Sequence, residues 1–274
     1  MGVEKSFSAD GEPELAALLS LTFDVEGGEF YSVIGPSGCG KSTLLGILAG
    51  YLQATAGAVY VDEDQVRGPH PDRTVVFQDY ALFPWMTVRR NIESALRARG
   101  VPRGAWDDIA RQYLELVHLG EFMDRYPHQL SGGMKQRVAI ARALAINPKI
   151  ILMDEPFGSL DSQTRYLMLL QGPTRPSGAG DFGSLDSQTR YLMQEEILSL
   201  WHESQKTIVL VTHAIDEAVF LSDKVLVMTS RPGRIKEIVP IPLERPRESG
   251  LRVSADFQAV VARIWHSLRE EVRW

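Results

Sequence analysis

GPSGCGKST (35–43) satisfies the spacing G-x-x-x-x-G-K-[ST], in which small residues give way to a lysine and a hydroxyl. Glycines at 35, 38 and 40 let the backbone wrap closely round an anion, so that amide groups from about Ser37 to Thr43 can point at its oxygens. Gly35, Pro36, Ser37, Gly38, Cys39, Gly40, Lys41, Ser42 and Thr43 are therefore candidate ligands of a nucleotide's phosphates. Lys41 offers a cation to the β- and γ-phosphates, and the Ser42 hydroxyl is a hard oxygen suited to Mg²⁺. A second group of chemical interest is the pair Asp154-Glu155, which follows the apolar run IILM. Asp154 could hold Mg²⁺ through water, and Glu155 could orient and deprotonate an attacking water. By residue type alone, the pair fits equally well as a cap on the next helix.

Short apolar runs place these groups. FYSVIG (30–35), TVVFQ (74–78), IILMDE (150–155) and TIVLVTH (207–213) read as buried parallel strands with their polar residues at the carboxyl ends, where open α/β sheets bind ligands. The phosphate loop thus falls between a strand and the helix TLLGILAGYL, the setting its anion chemistry requires. Residues 86–147 carry a predominantly helical pattern, closed by Pro148. After residue 230 come RPGRIKEIVPIPLERPR, read as a turn plus a short strand, and a last amphipathic helix with Ser254 as its N-cap.

Composition narrows the classes. The chain has 274 residues and is 44% apolar, enough for a sizeable core. No apolar run approaches the roughly 20 residues that cross a bilayer. The opening MGVEKSFSADGEPE is too acidic and polar for a secretory signal, so a cytoplasmic location is expected. The single cysteine, Cys39, excludes an intramolecular disulfide framework. A net charge of −6 gives no electrostatic reason to expect nucleic acid as a partner.

LSGGMKQRVAIARAL (130–144), following a phosphate loop, resembles the ABC ATPase family, and the resemblance extends over nearly the whole chain. It implies an α/β fold: a P-loop NTPase core from 1–85 and 148–230, a helical signature subdomain over 86–147, a short C-terminal extension over 231–274 and an antiparallel β element near the N-terminus. Together these would form a single ABC ATPase domain over 1–274. It also implies a homodimer, or a pairing with another ATPase subunit, in which Ser131, Gly132, Gly133 and Gln136 of one copy face the γ-phosphate of ATP held by the other. Ser131-Gly132-Gly133 opens a helix, which suits an anion on physical grounds as well.

Further positions are matched singly. Phe7 falls where the family stacks an aromatic on adenine, although by itself it reads equally as a core or edge-strand residue. Gln78, in VVFQDYALFPWMTV, matches the glutamine that touches Mg²⁺ and water, and His213, in LVTHAIDEA, matches the histidine that contacts the γ-phosphate. The implied catalytic set is Glu155, His213 and Gln78, the implied metal set Ser42, Gln78 and Asp154, and the cofactors ATP and Mg²⁺. The implied partners are transmembrane permease subunits and, indirectly, a solute-binding protein, with the chain peripheral on the inner face of the cell membrane. HAIDEAVFLSDKVLVMTSRPGRI resembles the branch that imports nitrate, sulfonates, taurine and bicarbonate. The other readings are a soluble ABC protein outside transport and an ABC subunit whose catalysis is impaired.

That last reading comes from a repeat. FGSLDSQTRYLM stands at 157–168 and again at 182–193, an offset of 25 residues, as a recent local duplication or an error in the deduced sequence would leave it. The spacing from Glu155 to His213 exceeds the family's by about the same length. Either copy could supply the loop that crosses the dimer interface. Continuity with Glu155 favours Ser159 and Asp161, with 169–181, rich in glycine and proline, as an inserted loop.

Overall fold

The computed structural model describes residues 2–8, 15–158 and 182–271, the last stretch with side chains from residue 190 onward. The sequence-based expectations for Ser159, Asp161 and the loop 169–181 lie outside the described residues. Two compact units make up the chain: Met1–Val75 with Lys149–Asp154 and Trp201–Trp274, and Val76–Pro148 with Glu155–Leu200.

The first unit is built on a six-stranded sheet in the order β10-β9-β3-β8-β7-β6. Its strands are β3 (Phe30–Ile34), β6 (Arg73–Val76), β7 (Ile150–Asp154), β8 (Thr207–Val211), β9 (Lys224–Met228) and β10 (Ile235–Pro240). β3 runs parallel to β8 and β9, and β7 runs parallel to β8. All five residues of β3 are buried, as its continuous apolar character requires of a strand covered on both faces. β10, antiparallel to β9, forms one edge. β1 (Val3–Phe7) and β2 (Leu15–Leu21) form the antiparallel element expected near the N-terminus, and β4 (Tyr60–Val61) pairs with β5 (Asp64–Gln65).

Register decides where the chemistry sits. Val33 and Asp154 both pair with Val211, so β3, β7 and β8 end level and the segments that follow leave from one edge of the sheet. α1 (Lys41–Ala49) starts from the loop after β3 and packs Leu44 and Leu45 into a core with Tyr31, Val33 and Leu152. α6 (Ile215–Leu221) follows β8, and α7 (Ala255–Arg269), capped by Ser254 Oγ accepting the Phe257 N–H, packs on α6.

The second unit contains α2 (Val88–Arg99), α3 (Trp106–Leu116) and α4 (Gly132–Ala145), whose apolar faces meet around Val88, Ile92, Leu114, Val138 and Ala141. α5 (Phe182–Ser204) belongs largely with it. Among the described residues this unit also takes in 76–85, 155–158 and 182–200, beside the 86–147 read from sequence. Arg137 of α4 pairs with Glu196 of α5 at 2.7 Å, a long-range contact that no local pattern announces. Within the stretch after residue 230, β10 lies at one edge of the sheet and α7 belongs to the same unit.

Two glycines end helices in the same left-handed conformation but in different surroundings. Gly50 after α1 and Gly100 after α2 both have φ 82°. A Cβ at Gly50 would lie 2.2 Å from the Gly68 carbonyl oxygen, whereas a Cβ at Gly100 would meet nothing within 4 Å. Gly100→Ala should thus incur only the left-handed penalty of about 1 kcal/mol. Gly50→Ala adds a collision with backbone and should cost about 3 kcal/mol in all, lowering Tm by about 5 °C. Thermal unfolding of the two variants side by side checks this. Equal shifts would show that conformation, not space, selects both glycines.

Candidate functional site

In the first unit the phosphate-loop residues lie between β3 and α1, with Gly38 at φ 76° and Gly40 at φ 105°. Lys41 is buried and its Nζ donates to the carbonyls of Gly35 at 2.8 Å and Pro36 at 3.1 Å, so the ammonium ties the two ends of the loop together. Ser37, Gly38 and Ser42 are exposed. Cys39 is not: its thiol points inward, 2.7 Å from where a Gly35 Cβ would stand. Burial pushes this thiol above its ordinary range, against the pull of Lys41. Only the Cys39 backbone is therefore placed to meet an anion, while its side chain fills the core.

Asp154 ends β7, and Ser42 Oγ donates to its Oδ1 at 3.4 Å across 112 residues of sequence. These are hard oxygens of opposite hydrogen-bonding character, brought together by the level strand ends. Among the described residues no group of three or more His, Cys, Asp or Glu could hold a metal ion. A hydroxyl and one carboxylate nevertheless suit Mg²⁺, which is commonly held by one or two carboxylates with the rest of its shell from phosphates and water. His213 follows β8 and is exposed. Its neighbour Thr212 is buried, donates its hydroxyl to Glu217, and accepts the Ala214 N–H at 3.1 Å, fixing the backbone on either side of the histidine. Phe7, at the end of β1, is 41% exposed with Lys5 Nζ 5.0 Å from its ring centre, which leaves it available for stacking.

In the second unit Glu155 adopts φ 43°, a left-handed conformation uncommon outside glycine and often found where a site needs a side chain re-aimed. Its carbonyl accepts the Gly158 N–H at 3.0 Å, closing a tight turn. A Cβ at Gly158 would lie 3.0 Å from Gln78 Nε2 and 3.7 Å from Glu155 Oε2, so the bare glycine lets an exposed amide and a carboxylate border the same spot. The segment after Gln78 is held by residues that sequence reasoning did not select. Arg142 of α4 donates to the carbonyls of Ala81 at 2.7 Å and Tyr80 at 3.1 Å. The buried Asn91 accepts the Phe83 N–H at 2.8 Å and donates to Thr87 O at 3.0 Å. Arg142 acts across 61 and 62 residues of sequence, which no spacing rule announces, whereas Asn91 acts locally, on residues four and eight positions before it.

Ser131 is the N-cap of α4, its Oγ accepting the Met134 N–H at 3.3 Å, with Gly132 and Gly133 as the first helical residues. The exposed serine hydroxyl and the helix's unpaired amides thus share one end, the arrangement that suits an anion. Gln136, one turn further on, does not join them. It is fully buried, and neither side-chain amide atom has a partner. Contact between its side chain and a nucleotide on another copy, as expected from sequence, would require it to leave the interior.

Residues 18–158 match the family model described as ABC transporter. The chain is 46% identical over 268 residues to an uncharacterized ABC transporter ATP-binding protein of Methanocaldococcus jannaschii, covering 98% of this chain and 90% of that one. It is 43% identical over 249 residues to the nitrate import ATP-binding protein NrtD of Synechococcus elongatus, covering 90% and 81%. It is 42% identical over 273 residues to the bicarbonate transport ATP-binding protein CmpC of the same species, covering 98% of this chain but 36% of that longer protein. Among solved structures it is similar to an ATP-binding cassette in a dimeric post-hydrolysis state bound to ADP and Pi, with a TM-score of 0.67 and 29% identity, covering 89% of this chain and 98% of that one.

Proposed function

We propose that this chain, which belongs to the ABC transporter family of ATP-binding proteins, energises the import of a small anion such as nitrate, bicarbonate, taurine or another sulfonate. It is an ATP hydrolase of the ABC-transporter type. Among the described residues no helix is long and apolar enough to cross a membrane, so the conduit for solute is assigned to separate permease subunits on whose inner face this chain docks. A solute-binding protein would act on the far side.

The observation that carries the anion assignment is the similarity, over at least 90% of this chain, to proteins named for nitrate import and bicarbonate transport. The site supports the ATPase half of the reading. Lys41 and the loop amides would bind the β- and γ-phosphates, and Ser42 and Asp154 would hold Mg²⁺, whose charge offsets that developing on the transferred phosphoryl group. Glu155 would take the proton of the attacking water as it adds to the γ-phosphorus and the bond from that phosphorus to the bridging oxygen breaks, releasing ADP, while Gln78 and His213 position that water and the phosphoryl oxygens. Phe7 would stack on the base. Ser131 and Gly133 would meet the γ-phosphate of a second copy, so that one ATP joins two chains and its hydrolysis loosens them.

Disrupting the gene in its host and measuring uptake of labelled nitrate, bicarbonate, taurine and a sugar tests the assignment. Loss confined to one of the anions is expected, with recovery on return of the intact gene. Loss of sugar uptake alone, or unchanged uptake of every anion, would overturn it.

A further inference from the structure

The turn RPG (231–233) lies behind the phosphate loop, and its contacts there are made by backbone. A Cβ at Gly233 would stand 2.1 Å from the Cys39 carbonyl oxygen and 2.7 Å from Met228 Cε. Only glycine lets the two segments approach so closely. Gly233 is also locked to β2 from both sides: its N–H donates to Ala17 O at 2.9 Å, and its carbonyl accepts the Leu19 N–H at 2.9 Å. β2 in turn backs the loop itself, because a Cβ at Gly40 would meet Leu18 Cδ2 at 2.6 Å and Ala17 O at 3.0 Å. The rear of the phosphate loop, β2 and Gly233 thus form one continuous backbone stack.

That stack is tied down from the C-terminal helix. Glu271, just beyond α7, accepts the Ser230 N–H at 3.0 Å and lies 3.3 Å from the Ser230 hydroxyl, at the start of the turn. Its other carboxylate oxygen pairs with Lys236 Nζ at 3.0 Å, past the end of the turn, and Lys236 also donates to Ser267 O at 2.9 Å and Glu270 at 2.6 Å. Burial opposes ionisation of Glu271, but the Ser230 N–H and the Lys236 ammonium outweigh it and hold the carboxyl below its usual range. Within the turn, Thr229 Oγ1 accepts the Arg234 N–H at 3.0 Å and donates to Pro232 O at 3.2 Å. Both flanks are therefore clamped to α7 while the tip presses on the loop.

We infer that Glu271 is a positioning residue for nucleotide binding: through Ser230 and Lys236 it holds the 231–233 turn against the back of the phosphate loop, keeping the loop amides turned towards the phosphates. This rests on the reading that residues 35–43 bind ATP. A loop with glycines at φ 76° and 105° has little intrinsic preference for its concave form, so support from behind reduces the entropy lost on binding.

The test compares the full chain with Glu271→Ala and Glu271→Gln, using MgATP as the probe. Glu271→Ala should raise the KM for ATP about threefold to tenfold with kcat within about twofold. It should also speed amide hydrogen exchange across 36–43 without affecting α2 to α4. Glu271→Gln keeps an acceptor for Ser230 but loses the charge facing Lys236, and should fall between the two. Gly233→Ala should exceed both if it folds, but the inference does not depend on it. If both Glu271 variants retain the parental KM and loop exchange, the inference fails even where Tm falls. Lys41→Ala in the same titration separates the two readings. ATP binding unaffected by that change would remove the premise, whereas binding lost there but unchanged in the Glu271 variants would remove only the brace.

Discussion

Glu155→Gln is expected to bind MgATP within about twofold of the parent while turning it over about two to four orders of magnitude more slowly. Glutamine keeps the size and much of the hydrogen bonding of glutamate but cannot accept the water's proton, so the loss should fall on the chemical step alone. In free-energy language kcat and kcat/KM should drop together, because the missing interaction exists only in the transition state. The left-handed turn at Glu155, φ 43°, and the bare Gly158 that lets its carboxylate border Gln78 are the local reasons for placing the base there. Unhydrolysed ATP should then hold two chains together, visible as a dimer by light scattering with MgATP and as a monomer without it. A mutant hydrolysing ATP at the parental rate would remove Glu155 from the mechanism.

Lys41→Ala should weaken ATP binding by about one to two orders of magnitude, the usual range for a lost charge-assisted hydrogen bond. Two effects combine. The variant removes a cation from the phosphate site, and it also removes the bonds to Gly35 O and Pro36 O that close the loop. Lys41→Arg separates these contributions. A guanidinium keeps the charge but is planar and forked where the loop encloses a compact ammonium, so binding should remain impaired although charge is restored. Isothermal titration with ATP decides the matter. If Lys41→Ala binds as tightly as the parent, the phosphates lie elsewhere.

Much of this architecture is legible in the amino-acid sequence. The apolar runs at 30–35, 74–78, 150–155 and 207–213 correspond to β3, β6, β7 and β8; β3, β7 and β8 are buried as their continuous apolar composition requires, whereas β6, at the end of the sheet, buries only Val76. The phosphate loop and the Ser131 cap were legible for a related reason. Each depends on a few consecutive residues whose backbone freedom or side-chain oxygen acts within a turn or two of its own position. The candidate pair Ser42 and Asp154 required one more step, the rule that parallel strands end together at the ligand edge.

Gln136 marks the limit of that reasoning. It lies one turn past Gly132 on α4, and both are buried, but the motif alone does not say which face of the helix turns inward. The extent of the helical unit was equally hidden, since Arg137 and Glu196 meet across 59 residues. The local geometry of each anion-binding turn and the succession of strands and helices along the chain follow from φ/ψ freedom, capping and hydrophobic period over short stretches of residues. The folded chain as a whole is what buries the Cys39 thiol, brings Arg142 to the segment after Gln78, and sets Gly233 and Glu271 behind the phosphate loop. Those facts depend on which distant backbones approach within a hydrogen bond of one another, and close packing settles that only when the whole chain is folded.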